Sequence, residues 1–196
     1  MKKSLLIALV VLCAASTAFA EGGSIGIFAS AAAGSCSLQQ PALYSTIQYT
    51  IVHTGTGATT GSGAAAPIPP CAGGMVITDI PLVPVYLPAD PTPGAVPSQV
   101  GFSAGYGNCV SAPKPISNMF YQALSAVVGC CTWTVVANPA LGVPGPISTD
   151  CSQPIQEEPA LGGSAIISVN PALCPCNVDT HESTWGGVKE LFRKGI

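Results

Sequence analysis

The sequence predicts an all-β fold: a disulfide-stapled antiparallel β-sandwich of immunoglobulin-like, Greek-key type with a short C-terminal helical tail. Three observations predict it. Short stretches of alternating apolar and polar residues recur between turn signals about every dozen residues. The punctuation is dense, with 22 glycines and 19 prolines, while only 8% of residues are charged. Eight of the nine cysteines lie beyond residue 20, at positions 36, 71, 109, 130, 131, 151, 174 and 176. That even number suits four bridges.

The N-terminus reads as a secretory signal peptide. Lys2 and Lys3 precede the apolar run Leu5 to Cys13, and small residues lead to Ala18, Phe19 and Ala20, with a cleavage site expected after Ala20. The apolar run is too short to span a bilayer. Leu12 before Cys13 argues against lipid attachment there, because that chemistry wants a small residue. The expected organisation is therefore a cleaved signal over 1–20, a β-sandwich domain over 21–178, and a linker with an amphipathic tail over 179–196. Beyond the signal the basic residues are Lys114, Lys189, Arg193 and Lys194, against nine carboxylates in the whole chain. A nucleic-acid partner is excluded, since binding one needs a basic patch that displaces counterions.

In chain order, Ile25 and Ile27 mark a first strand. From Tyr44 to His53, Ile47, Tyr49 and Ile51 share one face and Thr46, Gln48 and Thr50 the other, a half-buried strand with His53 at its rim. Thr54 to Pro70 reads as a long uncharged loop able to carry contacts. Met75 to Ile80 and Leu82 to Leu87 are two extended pieces broken by Pro81, with Pro84 and Pro88 marking an edge or bend. Asp90 to Pro97 is a turn cluster, after which Val100, Phe102 and Ala104 restore alternation. Ile116, Met119, Phe120, Ala123, Leu124 and Val127 fall at helical spacing behind Pro115, so periodicity alone predicts a helix there.

Around Cys130 and Cys131 the two-residue strand period puts Cys131 on the face of Trp133 and Val135, and Cys130 on the opposite face. The two sulfurs are thus expected to pair elsewhere: Cys131 in an inter-sheet core bridge beside Trp133, Cys130 on the outer side. Cys174 and Cys176 are expected to tie the last strand, Ala165 to Asn170, to the body. The remaining candidates are Cys36, Cys71, Cys109 and Cys151. No two cysteines have the two-residue gap of a zinc site, so neither a metal nor any other cofactor is expected.

Ile25-Gly26-Ile27-Phe28-Ala29 with Cys36, Tyr49 to His53, Gly105-Tyr106-Gly107-Asn108-Cys109, Cys130-Cys131, Asp150-Cys151 and Cys174-Pro175-Cys176 resemble a family of secreted bacterial cysteine-rich β-sandwich proteins without an established activity. The resemblance spans nearly the whole mature chain and implies a fold and a compartment. It also implies a strand, not a helix, over Ile116 to Gln122. The tail from Glu182 to Arg193 is similar to endings of other secreted proteins of this kind. Ser183 or Thr184 can cap a short helix with Trp185, Val188, Leu191 and Phe192 along one side. Such a tail either docks on the domain or is recognised by an export or surface-attachment partner.

For chemistry, Gly101-Phe102-Ser103-Ala104-Gly105 matches the nucleophile-elbow spacing, and Asp150 and His181 follow in hydrolase order. The strand-elbow-helix context that this motif needs is missing. Asp79, Asp90 and Asp150 are isolated, Glu157-Glu158 reads as a solvated turn, and the Pro-Ala-Leu triplets at 41, 139, 159 and 171 read as turn ends. The expected function is a non-catalytic secreted or cell-surface-associated structural or binding module, its partner an extracellular glycan or an envelope protein. No transmembrane segment is expected after signal cleavage. The alternative is an extracellular hydrolase using Ser103, Asp150 and His181.

Overall fold

A computed structural model describes residues 22–55 and 57–176. Residues 1–20, read from the sequence as a signal, His181 and the tail residues Trp185, Val188, Leu191 and Phe192 lie outside them. The described residues are all-β apart from single turns. The strands are β1 (Ser24–Phe28), β2 (Ser37–Gln39), β3 (Thr46–Thr54), β4 (Ala58–Ala64), β5 (Gly74–Pro81), β6 (Val85–Pro88), β7 (Phe102–Ser111), β8 (Lys114–Ala123), β9 (Cys131–Thr134), β10 (Ile147–Asp150), β11 (Glu157–Pro159), β12 (Leu161–Gly162) and β13 (Ser164–Ser168), with one helical turn α1 (Pro97–Val100). The first sheet has the order β12-β1-β3-β8-β5, the second β11-β10-β4-β7-β6, and the third β2-β13-β9.

The sheets are not purely antiparallel. β12 runs parallel to β1, and β13 parallel to β2. The cause is a single stretch, 157–168, that serves all three sheets in turn: β11 pairs with β10, β12 with β1, and β13 with β9 and β2.

Of four local expectations, three are corrected and one, the strand over 116–122, is met. The stretch 54–70 is not a free loop, because it contains β4, which pairs with β10 on one side and β7 on the other. Its apolar signal is absent because Gly61 and Gly63 occupy outward positions and Ser62 and Ala64 inward ones. Residues 114–123 form a strand, as the resemblance implies and against the helical spacing. From Ser117 onward the buried residues alternate as Ser117, Met119, Tyr121 and Ala123. The helical count arose by mixing that face with Phe120 and Leu124 on the other. Glu157 and Glu158 lie on β11 rather than in a turn. In β3 the second half is buried on both faces, Thr50 and Val52 included, and His53 is a core residue rather than a rim one. On the outer side the Phe28 ring lies over Gly26, where a Cβ would stand 2.9 Å from ring atom Cε2.

Trp133 joins the third sheet to the first. Its ring is fully buried, meets Tyr49 edge-on at 6.3 Å and Tyr121 at 6.1 Å, and donates from Nε1 to the Ala66 carbonyl at 3.0 Å. Tyr49 and Tyr121 stack at 5.8 Å and donate to the Gln39 and Ala72 carbonyls, both at 2.6 Å. Three large rings are thus buried with every polar handle satisfied.

All eight described cysteines are bridged. Cys131 is buried and pairs with Cys71, which sits not on a facing strand but in the 3-10 turn Pro70–Ala72 ahead of β5. Cys130, exposed and just before β9, pairs with Cys174. Cys36 pairs with Cys176, and Cys109 with Cys151. Three bridges run in series through the Cys130-Cys131 peptide and the Cys174-Pro175-Cys176 turn. They form a covalent path from Cys36 to Cys71 around the third sheet.

Candidate functional site

The three residues of the hydrolase reading do not assemble within the described chain. The Asp150 carboxylate is engaged inside its own turn, accepting from the amide and hydroxyl of Ser152 and the amide of Gln156. Those bonds hold its pKa below the usual carboxylate value. Ser103 projects outward from β7, with the Asn138 amide 3.5 Å from its Oγ. His181 lies outside the described residues. No group of three or more metal-ligating side chains occurs among the described residues.

His53 faces a different set of partners. Its Nε2 lies 2.9 Å from the Gly22 carbonyl and its Nδ1 3.0 Å from the Tyr106 hydroxyl, which is 2.8 Å from Ser62 Oγ. A carbonyl only accepts, so Nε2 carries a proton. In the neutral ring Nδ1 accepts from Tyr106, which accepts from Ser62; protonation reverses the chain and Tyr106 donates to Ser62. The network links β3 of the first sheet to β7 and β4 of the second. It also holds Gly22 through its carbonyl, at a point where a Cβ would stand 2.0 Å from the Pro159 carbonyl oxygen.

Burial lowers the His53 pKa, and the bond to Gly22 offsets this only in part. A histidine with a folded pKa below its unfolded value leaves stability intact above about pH 6.5 and removes it as the pH falls below that, because the unfolded chain then binds more protons. Thermal midpoints measured from pH 7.5 to 5 are expected to fall below about pH 6.5 in the wild type. The difference between wild type and His53→Gln should carry this slope. Asp79, whose pKa burial raises, acts with the opposite sign and cancels in that difference.

The candidate site is a trough on the outward face of the second sheet. Register places Val85 and Leu87 of β6 beside Gly105 and Ser103 of β7, then Gly61 and Gly63 of β4, then Thr149 and Ile147 of β10, with Glu157 of β11 beyond Thr149. Three glycines strip the middle of this face to backbone. A depression of about 210 Å³ results, lined by Gly63, Ser103, Leu141, Ile147, Thr149 and Glu157 among others. Leu141 overhangs it, for a Cβ at Gly63 would stand 2.6 Å from Leu141 Cδ1 and 3.3 Å from Ile147 Cγ1.

Asn138 builds that wall. Its side chain accepts from the Ala140 amide at 3.0 Å, capping the 3-10 turn Pro139–Leu141, and donates to the Phe102 carbonyl at 2.9 Å. Asn170 caps the turn Pro171–Leu173 in the same way. Of the four Pro-Ala-Leu triplets read as turn ends, those at 139 and 171 form these turns, whereas that at 159 runs from β11 into β12. The trough therefore offers two hydroxyls, one carboxylate and two aliphatic side chains on a fixed backbone floor.

No protein-family model matches the chain, and no curated protein matches it. Among solved structures, a chain of the CaDoc0917–CaCohA2 complex solved at pH 5.5 aligns with 75% of this chain and 99% of its own length, at 12% identity and a TM-score of 0.45. At that score the likeness carries neither topology nor function across.

Proposed function

We propose that the chain is an exported, non-catalytic β-sandwich module that holds a neutral sugar ring of an extracellular or envelope glycan in the trough of its second sheet. The observation that carries the reading is the pairing of chemistry and shape. Leu141 and Ile147 suit the C–H face of a saccharide, while the Ser103 and Thr149 hydroxyls and the Glu157 carboxylate suit its hydroxyl rim, on a glycine floor that admits close approach. The sandwich reading is supported by one buried cluster shared by all three sheets, with Trp133, Tyr49 and Tyr121 packed between the third and the first. Export is supported by four bridges, which persist in oxidising compartments. No helix among the described residues is long and apolar enough to cross a membrane.

Family membership as read from the cysteine spacing belongs to the same proposal, as does the tail, with Trp185, Val188, Leu191 and Phe192 as a recognition strip for an export or surface-attachment partner. Fusing 182–196 to a secreted reporter tests the strip; an unchanged reporter location removes that part.

The trough is tested by glycan-array binding of the mature protein beside Gly63→Ala and Glu157→Gln. The Gly63→Ala methyl displaces Leu141 at a flexible side-chain end, so the fold should persist. Each variant is expected to bind at least about tenfold more weakly, near 1.4 kcal/mol. Absence of wild-type binding to any glycan, or equal binding by both variants, would reject the reading.

A further inference from the structure

The trough is closed at one end and open at the other. Asn138 and the Pro139–Leu141 turn cross the outward face of the β4–β7 ladder. A Cβ at Gly101 would stand 2.7 Å from Asn138 Oδ1 and 2.9 Å from Pro139 Cδ, and one at Gly63 would stand 2.6 Å from Leu141 Cδ1. Gly101 lies two residues before Ser103 and Ala65 two residues beyond Gly63, and both are buried, so the open face ends there. In the other direction the Gly61–Gly105 pair carries the floor on as bare backbone. Thr149 Oγ1 flanks it on one side, 3.0 Å from where a Cβ at Gly61 would stand, and Val85 Cβ on the other, 3.3 Å from where a Cβ at Gly105 would stand. Next outward along β7 is Gly107, which is exposed. The enclosed part, about 210 Å³, is smaller than the ~300–1,000 Å³ of ordinary small-molecule pockets. It has room for one ring and one way out.

We propose that the trough takes the non-reducing terminal ring of a neutral oligosaccharide, with the rest of the glycan leaving over Gly61 and Gly105; this rests on the reading of the trough as a sugar site. A ring from the middle of a chain carries substituents at two opposite ends, and one of them would run into Leu141 and Pro139. A non-reducing terminal ring is attached through its anomeric carbon alone. With that carbon toward the open end, its other hydroxyls stay free to pair with Ser103, Thr149 and Glu157. A reducing terminal ring suits a fixed site less well, because its anomeric hydroxyl equilibrates between two orientations and only a fraction of the molecules matches. Leu141 is then the residue that sets specificity, by rejecting any substituent on the blind side. Its turn is held in place by Asn138, which accepts from the Ala140 amide and donates to the Phe102 carbonyl.

Isothermal titration calorimetry tests this on the protein over 21–196. The probes are gluco-, xylo- and chito-oligosaccharides from disaccharide to hexasaccharide, and each tetrasaccharide capped by a methyl ether on its non-reducing ring, at the hydroxyl opposite the anomeric carbon. In the series that binds, affinity is expected to change less than about threefold with length, and the cap to weaken binding at least about tenfold. Leu141 is exposed, so Leu141→Ala should keep the fold; it opens the blind end and should reduce the penalty of the cap to below about threefold. Affinity that climbs with every added ring, or a capped tetrasaccharide that binds as well as the uncapped one, overturns the proposal. The trough survives that outcome as a sugar site if Gly63→Ala still weakens binding. A cap penalty that Leu141→Ala leaves unchanged reflects a lost hydroxyl rather than a blind end, and also overturns it. Sensitivity to reduction of the anomeric end, without sensitivity to the cap, overturns it in favour of the reducing end. No binding by any uncapped oligosaccharide overturns both this proposal and the sugar reading.

Discussion

Trp133→Ala is expected to destabilise the protein by about 3–5 kcal/mol, the range for emptying a fully buried large aromatic site. In a chain of this length that lowers the thermal midpoint by roughly 10 °C. The estimate follows from what the ring touches. It is fully buried, it packs against both Tyr49 and Tyr121, and its removal leaves the Ala66 carbonyl without its donor. The site collapses poorly, because β9 is held by the Cys71–Cys131 bridge and by its ladder to β13. Trp133→Phe separates the contributions, keeping most of the packing and losing the hydrogen bond, for about 1 kcal/mol plus the smaller ring's void. Denaturant unfolding of the three proteins checks both values, and an alanine variant within about 1 kcal/mol of wild type would mean that the ring is not a core element.

Removing the Cys71–Cys131 bridge by Cys71→Ala/Cys131→Ala is expected to have the second large effect. The bridge closes a loop of 60 residues, for which chain entropy gives about 4 kcal/mol. It also fixes the 3-10 turn whose Ala72 carbonyl accepts from Tyr121, so its loss loosens the aromatic cluster from a second side. Cys109→Ala/Cys151→Ala should cost less: its loop is 42 residues, and it spans β7 and β10, both of which already pair with β4. Unfolding in guanidinium under non-reducing conditions gives the order, with the Cys71/Cys131 variant expected at the lower midpoint. The reverse order would place the main covalent support in the second sheet.

Much of the all-β fold was legible because strand periodicity is local. β3 showed its alternation, and the faces of Cys131 and Trp133 followed from a period of two. β4 was illegible for a physical reason. Its sequence, Ala58 to Ala64, has no side chain larger than threonine, and it is held as a strand by neighbours on both sides that are distant in sequence. The trough was hidden for the same reason, since a site made from the absence of side chains at Gly61, Gly63 and Gly105 leaves no motif. Ser103 was picked out for its elbow spacing and does line the trough, but as a hydroxyl on a sheet face with no base beside it among the described residues. The helical count over Ile116 to Val127 failed because β8 carries apolar residues on both faces, Phe120 standing outward opposite Thr78 of β5.

The most direct test of the trough as a ligand site is amide chemical-shift mapping of the protein over 21–196 during titration with a pool of neutral gluco-, xylo- and chito-oligosaccharides. Shifts concentrated at Gly61, Gly63, Ser103, Gly105, Thr149 and Glu157 are the predicted result. Shifts confined to other surfaces, or none at saturating sugar, would contradict it.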